Sequence, residues 1–335
     1  MSLDKFVIDF DSQYTNIYKI GSGIVLSEPT VATIVGESKG VVKDIGYSAR
    51  KMIGKTTKET KVVFPVYEGE VINEKVAYGL LNGFLKKVST SSKPFGFSAL
   101  FSVPCGSTYE VLEKYRKVAK SCGARKVSFV EAPLLSALGQ RIPLSNSTPF
   151  FVIDMAGGVT NIAAVSLEGV IAGLSVNIGA NKICTDIIDY LVDKYGMQIG
   201  LLSAESLKNE IGSLEENDAL SLVVNGRNIH TGAPMSLCIR SMDILEPIKN
   251  YYDKIADLTM AVLSKLPPEV SAEIRSSGIN ISGISSHIYG LEKYYSQKFD
   301  INVNVAENGK MCVALGGAVA LGDSALLKKL ELKQN

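Results

Sequence analysis

The sequence has few of the features that mark metal proteins, disulfide-stabilised proteins or nucleic-acid-binding proteins. It contains only two histidines, His230 and His287, which lie far apart and do not indicate a metal site. Its five cysteines are scattered without a Cys-x-x-Cys pair, so we expect reduced thiols instead of a metal cluster or a disulfide framework. The formal net charge of +1 provides no basic field for nucleic acid.

Long apolar runs are missing as well. No apolar stretch approaches the roughly 20 residues that a membrane-spanning helix needs. The first residues include one lysine and enter a predicted strand by Phe6, so neither a signal peptide nor an N-terminal amphipathic helix is expected. These absences favour a cytoplasmic protein.

The length and the hydrophobic periodicity predict a two-lobed α/β protein. A chain of 335 residues exceeds what one hydrophobic core usually supports. Short apolar strands alternate with helical patterns, for example the helical spacing over residues 111–119 and 245–266. Ser203, followed by Glu205, has the residue types of a helix cap and first turn, so a helix is expected to begin there.

Two segments with the same pattern are the most informative part of the sequence. In the second half, four apolar residues run into Asp154, and the small-residue turn Ala156-Gly157-Gly158 precedes another apolar strand. Near the start, an apolar strand likewise runs into Asp9 and a turn. Glycine lets backbone amides approach an anion, and a carboxylate at a strand end can hold hydrated Mg²⁺. One such hairpin is more often purely structural, but the pair predicts two halves that grip one phosphate chain.

With both hairpins in view, the chain resembles the actin-like ATPase superfamily of actin, DnaK-type chaperones and sugar kinases. Within it, the chain is similar to the bacterial rod-shape proteins MreB and Mbl. The segments that carry the resemblance follow the family's order along nearly the whole chain: residues 21–29, 49–56, 103–108, 122–125, 131–133, 194–200, 204–212, 226–232 and 266–269.

The resemblance implies the actin-like, ribonuclease-H-like α/β fold, with two lobes that each contain a mixed sheet flanked by helices. Residues 1–147 would form the first lobe, with a small subdomain inserted at about 30–75. Residues 148–330 would form the second, with a small subdomain at about 180–245. A C-terminal helix over about 312–330 would pack back near the cleft.

The resemblance also implies a site for ATP or ADP with Mg²⁺ between the lobes. Asp9 and Asp154 match the aspartates that face the metal through water. The remaining matches are Ser12 in the first turn, Gly157, Gly158 and Thr160 at the phosphate cradle, Glu205 and Lys208 on the adenosine helix, and Gly283 in the adenine turn. Glu205 and Lys208 share one helix face, so a solvated ion pair is the alternative for them.

Several positions depart from the family pattern, and all of them belong to this site. Asp11 replaces a glycine of the first turn and adds a charge that repels phosphate. Ala132 stands where the family has the glutamate that positions water, and alanine cannot deprotonate water. Ile284 replaces a glycine and would be strained if its position needs a positive φ. The other departures are Ala156, Val159, Asn161 and the pair Ala180-Asn181, which stands where the family has Gly-Asp.

From these departures we expect lost or slow hydrolysis, weakened nucleotide binding and no confidently assigned catalytic residue. The opposing interpretation is that relatives tolerate such changes. Actin-type sites also have Val-Thr after the second turn, and Asn161 could still orient water.

The resemblance predicts a scaffold for cell shape that forms or joins filaments. Its partners would be itself or a paralogous filament protein, the inner face of the cell membrane and the cell-wall synthesis machinery. A dynamic, ATP-hydrolysing filament protein is the first alternative, and an enzyme like a sugar kinase or a chaperone is a distant one. Phe95 and Phe97, near Lys86, Lys87 and Lys93, match an apolar loop that dips into lipid, unless Phe97 simply begins a buried strand.

Overall fold

The computed structural model describes residues 3–36, 40–88, 96–144, 148–166 and 169–333. The strands described in the first half are β1 (Asp4–Phe10), β2 (Tyr14–Lys19), β3 (Gly23–Pro29), β4 (Ala32–Val35), β5 (Val41–Ile45), β6 (Thr60–Val63), β7 (Val66–Tyr67), β8 (Glu70–Val71), β9 (Phe97–Val103) and β10 (Ala124–Glu131). Its helices are α1 (Tyr47–Arg50), α2 (Glu74–Val88), α3 (Tyr109–Ser121) and α4 (Ala132–Gly139).

The second half contains the strands β11 (Phe150–Met155), β12 (Thr160–Ser166), β13 (Gly169–Val176), β14 (Met197–Gln198), β15 (Ser221–Asn228), β16 (Pro234–Arg240), β17 (Ile279–Ser282) and β18 (Val303–Val305). Its helices are α5 (Ala180–Tyr195), α6 (Leu201–Ile211), α7 (Leu245–Leu263), α8 (Pro268–Ser277), α9 (Leu291–Phe299), α10 (Cys312–Gly322) and α11 (Ser324–Leu330).

The central sheets of the two lobes repeat one topology. The first has the order β10-β9-β1-β2-β3, and the second has the matching order β18-β17-β11-β12-β13. In each, the leading hairpin is antiparallel and its first strand runs parallel to the next strand on the other side. Both predicted hairpins are therefore confirmed, although β1 and β11 each extend one residue beyond the aspartate.

Smaller sheets are inserted into each lobe. The sheet β5-β4-β6 and the hairpin β7-β8 lie between β3 and α2 in the chain, together with α1. The sheet β14-β15-β16 lies between α5 and α7, and it contacts α6. These insertions bring α1 and α6 to the same side of the cleft, where Arg50 of α1 meets Glu205 of α6.

The described residues form three hydrophobic cores. One joins the first sheet to α2 and α3, and a second joins the other sheet to α5, α6, α7 and α9. The third is shared by both lobes and packs α4 against α10 between the two sheets, with Val7, Val152 and Leu135 completely buried. This shared core fixes the base of the cleft between the lobes.

Two local expectations from the sequence differ from the structure. Helix α6 begins at Leu201 after the N-cap Gly200, so Ser203 lies within its first turn instead of capping it. The segment predicted as one C-terminal helix is two helices, α10 and α11, because Asp323 ends the first and caps the second with its side chain. Among the described residues, no single helix is long and apolar enough to cross a membrane. One pair of consecutive helical segments, Gly309–Gly322 and Ser324–Leu330, is long and apolar enough when taken together, but the pair is bent by 118°.

Phe97 is part of the first core. It begins β9, is 8% exposed and packs its ring edge-on against Phe6 at a centroid distance of 5.7 Å. The ring is thus an interior side chain, which is the second of the two interpretations of this residue. Phe95 and Lys93 lie outside the described residues.

Candidate functional site

The two leading hairpins face one another across the cleft between the lobes. The walls of this cleft are formed by both hairpin turns, the start of α4, the turn after β17 and residues 309–310. The cavity at its centre has a volume of about 50 Å³, which is room for a few water molecules at about 15 Å³ each. The site is consequently a narrow, nearly filled space.

Asp9 of β1 is held by two neighbouring strands. Its carboxylate accepts hydrogen bonds from Asn16 Nδ2 at 3.0 Å and from Ser102 Oγ at 2.7 Å. Asn16 lies directly opposite Asp9 on the antiparallel strand β2. Ser102 lies on β9, the parallel neighbour on the other side. The topology of the sheet therefore places both donors beside the carboxylate.

Asp154 of β11 is held in the same way in the second lobe. It accepts hydrogen bonds from Asn161 Nδ2 at 3.2 Å and from Ser282 Oγ at 3.0 Å. Asn161 is opposite Asp154 on the antiparallel strand β12, and Ser282 is beside it on the parallel strand β17. Each lobe thus contributes one Asp–Asn–Ser group to the cleft, and sequence reasoning had identified only the aspartates and Asn161.

The asparagine of each Asp–Asn–Ser group can be recognised from its spacing in the sequence. The asparagine follows the aspartate by seven residues in both hairpins. Since the two hairpins have the same length, this spacing places the two side chains across from each other. Asn16 could have been found from the spacing, whereas Ser102 and Ser282 come from distant strands and have no such signal.

Burial dominates the electrostatics of these carboxyls. It raises the pKa of Asp9 to about 7, with the negative charge of Asp11 adding to the effect. Burial likewise raises the pKa of Asp154 to about 6. A cation lies close by, because Lys310 lines the cleft with its Nζ 3.3 Å from the centroid of the Tyr14 ring. Burial lowers the pKa of Lys310 to about 8, and the charge of Arg50 acts in the same direction.

The turns of the two hairpins touch through Asp11. Its carboxylate accepts hydrogen bonds from the backbone amides of Gly157 at 2.8 Å and Gly158 at 3.4 Å, in the opposite lobe. It also accepts from the amides of its own turn, Ser12 and Gln13. Burial raises the pKa of Asp11, and these four amides oppose that shift. The amides predicted to cradle a phosphate are therefore bonded to a side chain of the protein.

The glycines of the second turn are needed for this close approach. A Cβ on Gly157 would lie 2.4 Å from Asp11 Oδ2, and a Cβ on Gly158 would lie 2.2 Å from Ser12 Oγ. Real Cβ atoms do not tolerate such distances, so any side chain at these positions would force the turns apart. Ser12 Oγ is buried without a hydrogen-bond partner at this contact.

Glu205, which the resemblance assigns to the adenosine, is bonded to the first lobe. Its carboxylate forms an ion pair with Arg50 and accepts a hydrogen bond from Gln13 Nε2 at 3.2 Å. Its side chain is 7% exposed. Lys208 is also buried, and burial lowers its pKa. The solvated ion pair that was the alternative for Glu205 and Lys208 is therefore wrong.

A second cavity lies beside Lys208 at the other end of the site. It has a volume of about 190 Å³ and is lined by Lys208, Asn209, Tyr252, Ile284, Ser285, His287 and Ile288. Ser285 Oγ is buried there without a hydrogen-bond partner. Lys208 of the adenosine helix thus faces Ile284 and Ser285 of the adenine turn across this space, whereas Glu205 and Gly283 do not line it.

The turn after β17 depends on Gly283. Its φ is +93°, and a Cβ would lie 2.2 Å from the carbonyl oxygen of Met155. Ile284 is not in the left-handed region, because the only described non-glycine residues with positive φ are Glu68, Arg141 and Asp300. The strain expected at Ile284 is therefore absent, and its side chain lines both cavities.

Of the remaining residues predicted for the site, Ala132 and Asn161 line the cleft and Thr160 lies behind it. Asn161 Oδ1 also accepts a hydrogen bond from the amide of Cys105 at 2.9 Å. Thr160 is completely buried, and its hydroxyl donates to the carbonyl of Ile178 at 2.5 Å. Thr160 thus anchors the segment after β13 and is not part of the described cleft lining.

The phosphate end of this arrangement does not fit a nucleoside triphosphate. Asp11 takes up the amides of the glycine turn, and the central cavity, at about 50 Å³, is about sixfold smaller than the roughly 300 Å³ at which ligand pockets begin. Each oxygen of Asp9 and Asp154 already accepts one bond from serine or asparagine, so only its second lone pair is left for a hydrated Mg²⁺. No group of three or more metal-binding side chains occurs in the described part of the chain.

Comparison with known proteins agrees with the fold. The family model described as MreB/Mbl protein matches residues 3–329. The cell shape-determining protein MreB of Escherichia coli (strain K12) is 34% identical over 320 residues, which cover 94% of this chain and 92% of the relative. The cell shape-determining protein Mbl of Bacillus subtilis (strain 168) is 28% identical over 331 residues, covering 97% and 98%.

Solved structures agree as well. MreB5 of Spiroplasma citri bound to AMPPNP superposes with a TM-score of 0.92 at 27% identity, and 98% of each chain is covered. A MamK double helical filament superposes with a TM-score of 0.77 at 17% identity, covering 95% of this chain and 99% of the other. The fold and the paired hairpins therefore define an actin-like protein.

Within that class, the chain belongs to the MreB/Mbl family. The expected actin-like fold, with a mixed sheet flanked by helices in each lobe, is confirmed.

Proposed function

We propose that this chain is a subunit of an MreB-type filament that acts as a scaffold for cell shape and has lost efficient ATP hydrolysis. Filament formation is supported by membership of the family and by the structural likeness to MamK, whose structure is that of a double helical filament. Contacts that repeat from subunit to subunit without closing generate such filaments. The loss of hydrolysis is a separate part of the proposal and rests on the cleft itself.

The observation that carries this part is the methyl group of Ala132 at the start of α4, facing the cleft. In the family pattern a glutamate at this point positions the attacking water. The neighbouring Glu131 is engaged elsewhere, because its Oε1 accepts a hydrogen bond from the amide of Gly106 at 2.6 Å. The carboxylates that do line the described cleft, Asp9, Asp11 and Asp154, each accept hydrogen bonds from serine, asparagine or backbone amides. None of these carboxylates lies at the start of α4, where the glutamate of the family pattern would stand.

Phosphate release by the purified protein, measured together with light scattering, tests the proposal. We expect scattering to report assembly while phosphate release stays at the background of a protein-free reaction. An MreB with measurable turnover, assayed at the same concentration, is the positive control. Turnover similar to that control would remove the proposal.

The alternative is an ordinary dynamic filament that binds and hydrolyses ATP. It is favoured by Asn161, which lines the cleft and uses one hydrogen of Nδ2 and one lone pair of Oδ1 in the bonds described above. The remaining hydrogen and lone pair could orient water. The likeness to an AMPPNP-bound MreB5 also favours nucleotide binding. Phosphate release that rises together with scattering would select this alternative.

The proposed partners are further copies of the chain or a paralogous filament protein, the inner membrane surface and the cell-wall synthesis enzymes. The membrane part rests on the sequence near Phe95 and Lys93 and on the adjacent end of α2. There, Lys87 is paired with Glu28 at 2.7 Å, so it neutralises a carboxylate of its own lobe. We therefore assign lipid contact mainly to Phe95, and place the protein at the cytoplasmic face of the membrane.

A further inference from the structure

The contact between Asp11 and the glycine turn has the features of a bound anion. The carboxylate lies among four backbone amides, those of Ser12 and Gln13 in the first lobe and those of Gly157 and Gly158 in the second. Successive amides that converge in this way form an anion-binding concavity. In this protein the anion is covalently part of the chain.

We propose that the Asp11 carboxylate is a built-in ligand of the glycine turn, which holds the two lobes together in place of a phosphate and competes with the terminal phosphates of a nucleotide. The inference rests on the proposed function only in treating the cleft as the nucleotide site. It makes no use of Ala132 or of hydrolysis.

The geometry leaves no room for both anions. Asp11 Oδ2 is 2.8 Å from the Gly157 amide, the distance of a direct hydrogen bond, and Asp11 Oδ1 is 3.4 Å from the Gly158 amide. The same two amides cannot point at a phosphate without losing the carboxylate. Like charges at such a distance also repel strongly in a buried site. A phosphate must therefore displace Asp11 before it can bind to the turn.

The contact also joins the lobes. Asp11 is on the first lobe and the two glycines are on the second, 146 and 147 residues further along the chain. Other contacts also cross between the lobes, among them the bond between Gln13 and Glu205, the bond between Asn177 and Glu68 and the Arg50–Glu205 ion pair. Because a ligand shifts a conformational equilibrium by binding one state better, a tethered carboxylate that meets the turn only when the lobes are together favours the closed state permanently.

The cavity beside Lys208 is unaffected by this competition. It is bordered by Lys208, Tyr252 and Ser285 and does not include Asp11. The proposal therefore predicts that Asp11 discriminates between ligands by their phosphates. Adenosine, which has no phosphate, should bind equally well whether Asp11 is present or not.

Asp11→Gly is the direct test, and AMPPNP with Mg²⁺ is the probe. Titration calorimetry should show AMPPNP bound at least about tenfold more tightly by the variant than by the wild type, with adenosine changed less than twofold. Hydrogen–deuterium exchange without nucleotide should show the amides of Gly157 and Gly158 at least about tenfold less protected in the variant. AMPPNP should restore that protection.

Two further variants keep the test decisive. Asp11→Asn retains the size of the side chain and removes its charge, and it replaces Asp11→Gly as the test if the glycine variant fails to fold. It should change AMPPNP affinity and amide protection in the same direction as expected for Asp11→Gly. Glu70→Gln removes one negative charge from the same lobe, where Glu70 pairs with Lys114, and should leave both measurements at wild-type values. Unchanged AMPPNP affinity and unchanged protection in the folded Asp11 variants would overturn the inference. Phosphate release by Asp11→Gly would instead contradict the assignment of the lost hydrolysis to Ala132, and would leave the inference about Asp11 standing.

Discussion

Replacing Arg50 by alanine should destabilise the protein by removing the partner of a buried carboxylate. Arg50 belongs to the inserted part of the first lobe, and its guanidinium pairs with Glu205 of α6 in the second lobe. The Glu205 side chain is 7% exposed and the Arg50 side chain 25% exposed. Without Arg50, the hydrogen bond from Gln13 would be the remaining described bond to this carboxylate.

The magnitude follows from this burial. Breaking a fully buried pair by removing one partner costs about 3–5 kcal/mol. Because a quarter of the Arg50 side chain reaches solvent, we expect a smaller loss in the free energy of unfolding, about 2–3 kcal/mol. Arg50→Lys should recover only part of it, since lysine lacks the planar fork that matches a carboxylate.

Urea unfolding followed by circular dichroism measures this loss. The control is Arg275→Ala, which removes an exposed partner of Asp300 and should cost less than about 0.5 kcal/mol. The double variant Arg50→Ala, Glu205→Gln should lose less than the sum of the single variants by about 1–3 kcal/mol, because the two side chains interact directly. A loss below about 0.5 kcal/mol for Arg50→Ala, or strict additivity in the double variant, would refute the reasoning.

Three other predictions follow from the cleft and its surroundings. Ala132→Glu alone should leave phosphate release near background, because Asp11 still occupies the glycine turn and Asn181 replaces a family aspartate; substantial turnover in this variant would contradict that. Gly283→Ala should lower the free energy of unfolding by about 3 kcal/mol or more, since it combines left-handed strain with overlap on the Met155 carbonyl. The control is Gly322→Ala, whose added Cβ would meet nothing within 4 Å and which should cost under about 1 kcal/mol in the same unfolding assay. Equal losses of stability in the two alanine variants would disprove the role given to Gly283. Phe95→Ser should reduce co-sedimentation with anionic liposomes, with or without ATP, and equal pelleting of variant and wild type would remove lipid contact by this residue.

Much of the local structure could be predicted because it follows from short-range patterns. The two hairpins, with Asp9 and Asp154 near the ends of their first strands, were recognised from apolar runs that stop at a turn. The actin-like fold was implied by the resemblance to actin-like proteins, which that paired pattern and the other family segments carry. The start of α6 was misplaced by two residues, since Gly200 caps the helix without offering a side chain to recognise.

The interactions that define the site were decided by tertiary structure. Asp11 was predicted to repel a phosphate, but its bonds to Gly157 and Gly158 depend on how closely the lobes approach. Glu205 meets Arg50 only because two inserted segments fold onto one side of the cleft. These partners lie well over 100 residues apart, beyond the reach of any local pattern.

The sequence by itself therefore determined which residues enter the cleft, because strand and turn patterns are local and place Asp9, Asp154 and the glycines at strand ends. Only the tertiary structure decided what those residues bind. The packing of α4 and α10 between the sheets sets the distance between the lobes. At that distance a one-residue change, Asp11 in place of a glycine, is long enough to reach the opposite turn and bind to it.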